Sequence, residues 1–177
     1  MNQISYERIQ DILDEFFQCL DELFFFNILN REVWAGRAGA LHCRKLVVIK
    51  VHDYPDPQVD GLFRVVESSI HIWLRHSDKG QRHSFEYLIC LLLHEMTHAY
   101  IATFADQEDD KYYEHVADYE NHGTMFWMLL KFVLRRIFEI TRSQEVWNEI
   151  LAEERRRVKY ARNPQHGQFF RNFLKVF

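Results

Sequence analysis

Taken as a pattern of apolar and polar positions, the chain divides into helical and strand-like stretches. Near its start, Ile9, Ile12, Leu13, Phe16, Phe17, Leu20, Leu23 and Phe24 recur three and four residues apart. That spacing predicts an amphipathic helix, with Ser5 as its cap and an end near 27–30. Gly36 and Gly39 mark a turn region. The β-branched run 46–51 (LVVIKV) predicts a short strand, closed by the turn signal Tyr54-Pro55-Asp56-Pro57. Asp60-Gly61 reads as a further turn, with short strands at 62–66 and 69–74. In the second of these, Ile70, Ile72 and Leu74 alternate with Ser69, His71 and Trp73. Residues 75–82 (RHSDKGQR) read as a charged loop.

The next stretch is different in kind. Residues 88–104 (LICLLLHEMTHAYIATF) are apolar on nearly every side, the mark of a buried helix, which Ser84 begins. Residues 105–111 (ADQEDDK) read as a solvated acidic loop, and 112–122 show no clear period. Gly123 opens another helix, in which Phe126, Leu129, Leu130, Val133, Leu134 and Ile137 are periodic. Ser143 is placed to cap a last helix over 144–160. Together these elements predict an α+β fold, a small antiparallel sheet of about three strands beside a largely helical body.

A length of 177 residues suits one domain, 1–177, with a core that can be well packed. The net charge of −4 removes any whole-chain signature of nucleic-acid binding. The basic tail (RRRVKYAR from Arg155, then Arg171 and Lys175, interleaved with Phe169, Phe170 and Phe173) is a candidate DNA contact. The blander reading, a solvated helix end rich in arginine, outweighs it. Cys19, Cys43 and Cys90 form no CxxC pair, which suggests reduced thiols in an intracellular protein. The polar N-terminus carries no signal-peptide pattern, and the apolar run 23–29 is too short to span a bilayer. The expected location is therefore the nucleus or cytoplasm, with no membrane partner.

Candidate chemistry concentrates in the buried helix. His94 and His98 lie four residues apart, with Glu95 between them. Four residues is about one helical turn, so both imidazoles project from one face. Two imidazoles so placed can share a zinc ion, and the Glu95 carboxylate then lies beside the open position, able to accept a proton from water. This HExxH spacing is the pattern of zinc metallopeptidases. Burying His, Glu and His in one helix is costly unless something satisfies them, and a metal does so more readily than hydrogen bonds within the core. Cys90, one turn before His94, is a minor candidate ligand; burial alone explains a cysteine there.

A catalytic zinc takes three protein ligands. The HExxHxxGxxH form is excluded, since position 101 is Ile and position 104 is Phe. Glu114, with Asp118 four residues on, suits a glutamate-ligand form, and His115 and His122 are the histidine candidates.

Two short motifs favour one of these. His94-Glu95-Met96-Thr97-His98-Ala99 is followed by His122-Gly123-Thr124-Met125-Phe126. Over roughly residues 10–138 the chain thus resembles the SprT-like (Spartan-like) zinc metalloproteases, which pair HExxHA on one helix with HGxxF or HGxxW at the start of the next. The resemblance implies a zincin-like fold, Zn2+ as cofactor, His94, His98 and His122 as its ligands, and Glu95 as the catalytic base. It also implies a protein substrate, and a role in repair of DNA–protein crosslinks. The acidic stretch between the motifs is longer than is usual in that family.

Further roles follow as expectations. Tyr112, Tyr113, Tyr119 and His115 are candidates to stabilise the oxyanion. Asp118 or Glu120 could orient a zinc-bound histidine, although each taken singly is more simply a surface carboxylate. Strand 69–74, if it forms a sheet edge over the cleft, could pair with an extended substrate. Two rival readings are a zinc-stabilised binding module without catalysis and a stand-alone effector protease. Glu95 speaks against the module, because a structural site has no use for that carboxylate.

Overall fold

The computed structural model describes residues 6–35, 42–76, 80–104, 122–144, 146–148 and 151–152. In chain order its elements are α1 (Tyr6–Phe24), β1 (Glu32–Ala35), β2 (His42–Lys45), β3 (Val48–His52), β4 (Gly61–Arg64), β5 (Ser69–Trp73), α2 (Phe85–Phe104) and α3 (Thr124–Thr141). The architecture is α+β. Beyond α3, Ser143 accepts the Val146 N–H at its hydroxyl and the Trp147 N–H at its carbonyl. This is the capping role expected of Ser143, and the described residues that follow it are helical.

Helix α1 buries Leu13, Phe17 and Leu20, four and three residues apart, and leaves Phe16 and Leu23 outside. Its end falls ahead of the predicted break. Phe26 (φ 59°) and Asn27 (φ 57°) adopt left-handed backbone, which turns the chain out of the helix. Asp21 holds that turn. Its carbonyl accepts the N–H groups of Phe25 and Asn27, and its buried carboxylate accepts those of Leu29 (3.1 Å) and Asn30 (2.8 Å).

Two corrections concern the sheets. Residues 32–35 and 42–45 pair as an antiparallel hairpin, β1 with β2, where the sequence suggested only a turn region. The second sheet has the order β3-β5-β4, with β5 parallel to β3 and antiparallel to β4. It is therefore mixed rather than antiparallel. The physical reason lies in the connection 53–60, which carries the chain past the site of β5 before β4 forms. Strand β5 then returns between the two and satisfies its backbone on both sides.

The same topology rules out the condition on which 69–74 could pair with a substrate, that it form a sheet edge. The 69–74 stretch is the centre of the sheet, and all five positions of β5 are buried. Its alternation misled because Ser69, His71 and Trp73, the polar-looking set, are covered as fully as Ile70 and Ile72. The edge next to α2 is β4.

Helix α1 packs on β3, while α2 packs on β4, β5 and α3. The core joins Leu92, Leu93, Met96 and Ala99 of α2 to Phe126, Leu130, Val133 and Leu134 of α3 and to Ile70 and Ile72 of β5. Among the described residues, no helix is long and apolar enough to cross a membrane. The acidic stretch 105–111, the Gly36 and Gly39 turn region and the basic tail lie outside the described residues.

Candidate metal centre

Ser84 starts α2 as expected, its hydroxyl accepting the Tyr87 N–H at 3.2 Å and its carbonyl the Leu88 N–H at 3.1 Å. Helix α2 crosses the core, so His94 and His98 emerge one above the other towards α3, ring centroids 5.0 Å apart. His122 immediately precedes the extended Gly123 that begins α3, so the entry into that helix brings a third imidazole to the pair. The Nε2 atom of His122 lies 3.0 Å from that of His94 and 3.1 Å from that of His98. Among the described residues, His122 is the candidate third partner that the fold brings to the pair. Glu114, His115 and Asp118 lie outside the described residues, as do Tyr112, Tyr113, Tyr119 and Glu120.

Two Nε2 atoms that both approach the Nε2 of His122 cannot both be satisfied by hydrogen bonds with it. Each neutral imidazole carries one N–H, so His122 Nε2 cannot donate to both neighbours. A cation between them satisfies all three. Tetrahedral zinc with bonds of about 2.0–2.1 Å sets its nitrogen ligands roughly 3.3 Å apart, close to the spacing found. The donor set and the geometry therefore fit a metal ion, and these three residues can hold one.

The surroundings favour neutral imidazole, the form that binds metal. Burial pushes the His98 pKa down to about 3, with the neighbouring His122 adding to the effect. The fully buried Phe126 ring fixes the trio from α3, its centroid 4.8 Å from His94, 4.3 Å from His98 and 4.5 Å from His122. The sequence showed Phe126 as one periodic core position of α3; only the fold shows that it touches all three imidazoles. Trp127 supports His122 from the next position, at 5.4 Å.

Glu95 is only 4% exposed. Burial pushes its carboxyl up to about 8, against the pull of a hydrogen bond from the Phe63 backbone N–H on β4. Glu95 and His94 line a cavity of about 210 Å³, whose walls include Val59, Asp60, Gly61 and Tyr87. Cys90 also lines this cavity but stands outside the three-histidine group.

The packing of β4 on α2 depends on Gly61. A Cβ at that position would stand 2.9 Å from Glu95 Oε1 and 2.7 Å from Leu91 Cδ1. Reading residues 60–61 as a turn missed this contact, because nothing local in the sequence announces it. A second group able to hold a metal, Asp60, His76 and His83, was also missed. Its members come from two separate connections, so no linear spacing reveals them.

Compared with protein-family models, curated proteins and solved structures, the chain matches none.

Proposed function

We propose that the chain is a zinc-dependent peptidase of the SprT-like kind, with a zincin-like arrangement of helix and edge strand. The observation that carries this reading is the convergence of His94, His98 and His122 at 3.0–3.1 Å, with Glu95 on the adjoining cavity wall. The resemblance of the two motifs to that family adds to it.

In this reading the three imidazoles hold Zn2+, which supplies Lewis acidity, polarising a carbonyl and bringing the pKa of a bound water from about 15.7 towards 7. Glu95 accepts the proton of the attacking water at a carboxylate oxygen and passes it to the leaving amine. Phe63 orients Glu95 through its backbone N–H. The substrate is an extended polypeptide. Along β4, Asp60 accepts the Trp73 N–H of the neighbouring strand, so the backbone groups of Gly61 and Phe63 face outwards; the Phe63 N–H is taken by Glu95, which leaves the Gly61 groups and the Phe63 carbonyl for a peptide. That edge, rather than the central β5, is where a peptide can add. Such pairing selects extended conformation more than sequence.

The test is hydrolysis of a basic DNA-binding protein by the zinc-loaded full chain, with and without single-stranded DNA, beside Glu95→Gln. Wild type is expected to cleave. Glu95→Gln is expected to retain zinc and lose about 10²–10⁴-fold in rate. Equal cleavage by both would remove Glu95 from the chemistry. No cleavage by either, with zinc bound, would favour the zinc-stabilised binding module. A requirement for DNA would support action on DNA-bound proteins; cleavage indifferent to DNA would leave a protease without that role.

A further inference from the structure

Strand β5 and helix α2 are joined by a connection whose two arms are tied together. Arg75 and Arg82 form a β-bridge, the His76 N–H donates to the Gln81 carbonyl at 2.8 Å, and the His83 N–H donates to the Leu74 carbonyl at 2.9 Å. This pairing sets His76 on one arm beside His83 on the other, ring centroids 3.8 Å apart. Asp60, at the start of β4, is anchored to the same end of the sheet by the Trp73 N–H, which its carbonyl accepts at 2.8 Å. One donor atom from each of Asp60, His76 and His83 lies within 4.8 Å of the others.

His83 gives this cluster its meaning. Its side chain is fully buried, and neither ring nitrogen has a hydrogen-bond partner among the described residues. Asp60 Oδ1 is likewise without one. The two atoms stand 3.3 Å apart, close enough to attract but outside hydrogen-bond geometry. The other Asp60 oxygen is held by the Tyr87 hydroxyl, which donates to Oδ2 at 3.1 Å, and the Tyr87 ring stacks on His83 at 4.5 Å. The carboxylate is thus oriented from outside with Oδ1 left towards the imidazoles. Burial also lowers the His83 pKa, the Asp60 charge opposing, so the ring is neutral and able to ligate.

We propose that Asp60, His76 and His83 form a second, mononuclear site for a divalent transition metal of the zinc class. Two imidazoles and one carboxylate suit such an ion. They do not suit calcium, which takes six to eight oxygens, or magnesium, which keeps an octahedral oxygen shell. The site is separate from the three histidines. Tyr87 and Glu95 are eight residues apart on α2, about 12 Å along its axis, whereas paired metals of one centre lie about 3.5–4 Å apart. Asp60 and Tyr87 nevertheless line the cavity that His94 and Glu95 line. A metal here ties Asp60, the residue before β4, to the β5–α2 connection and so fixes part of that cavity's wall. The proposal does not rest on the peptidase reading.

The experiment is a count of bound Zn2+ on the metal-stripped full chain after dialysis against zinc. Asp60→Asn, His76→Ala and His98→Ala are counted beside wild type. Asp60→Asn and His76→Ala are each expected to bind about one equivalent fewer than wild type, with His98→Ala losing a different equivalent. A count unchanged by both Asp60→Asn and His76→Ala overturns the proposal. A count unchanged by His98→Ala alone strikes the three-histidine site and leaves this one standing. Should both cluster variants lose their helical circular dichroism, the imidazole ¹⁵N spectrum of the wild-type chain decides. His83 ring resonances that move on zinc saturation support the site, and unmoved resonances overturn it.

Discussion

A methyl group added at Gly61 has no room. Its Cβ would stand 2.7 Å from Leu91 Cδ1, 2.9 Å from Leu91 Cγ and 2.9 Å from Glu95 Oε1. The backbone is not the obstacle, since among the described glycines only Gly80 has left-handed φ. The effect of Gly61→Ala is therefore steric. Relief to ordinary contact near 3.5–4.0 Å asks Leu91 and Glu95, or β4 itself, to give by about 0.6–1.3 Å. Overpacking of this kind costs about 1–3 kcal/mol. Alanine restricts the unfolded chain and returns about 0.4–1 kcal/mol, so a net loss of about 1–2 kcal/mol is expected. Activity has a separate route to loss. A shift of order 1 Å in a positioned group costs about 100-fold, so half that shift in Glu95 costs about 10-fold in kcat/KM. Zinc affinity is expected to stay at the wild-type value, because Glu95 is not among the ligands. Urea unfolding, zinc titration and peptide hydrolysis measure the three quantities. Wild-type kcat/KM together with a stability loss under about 0.5 kcal/mol, the range of a neutral surface change, would refute the packing of β4 on Glu95.

Other substitutions separate the metal site from its supports. His122→Ala is expected to weaken zinc binding by more than the roughly 10–100-fold that loss of a mere supporting partner costs, measured by competition with a chelator. Phe126→Ala removes the ring that touches all three imidazoles and is expected to cost about 3–5 kcal/mol in denaturant unfolding of the metal-free chain. Its zinc affinity should fall as well; an unchanged affinity would show that the trio keeps its geometry without the ring. Asp21→Ala leaves the Leu29 and Asn30 N–H groups without their carboxylate, at about 2–4 kcal/mol, with no effect on zinc affinity.

What could be read from the chain and what could not divide along physical lines. The helices were legible because their signal is local: apolar residues at three and four residue spacing, and a serine at Ser84 to cap α2. His94 and His98 were legible for the same reason, since one helical turn fixes their relation. His122 was legible only through the resemblance of its HGxxF setting; spacing alone left it beside Glu114 and His115. The order of the sheet was not legible. Whether β5 pairs on one side or two depends on where the 53–60 connection delivers β4, and alternation in 69–74 is silent on that. The hydrogen bond from Phe63 to Glu95 and the Asp60, His76 and His83 cluster were hidden because each joins residues from separate elements.

The place of Glu95 bears on the choice between the peptidase and the binding module. A site that only needs three imidazoles to tie α2 to α3 would be better served by an apolar residue at position 95. The carboxylate, 4% exposed and with its pKa raised by burial, is a cost to the fold. The fold nonetheless makes room for it. Position 61 carries no side chain where a Cβ would meet Oε1, and the Phe63 N–H is turned outwards from the sheet to hold it. Both provisions come from β4, the strand whose outer edge is next to α2. In the proposed peptidase, a peptide added to this edge would be placed by the same strand that positions Glu95. That economy is intelligible for a protease. The proposed binding module, a site that merely joins two helices, gives it no such use.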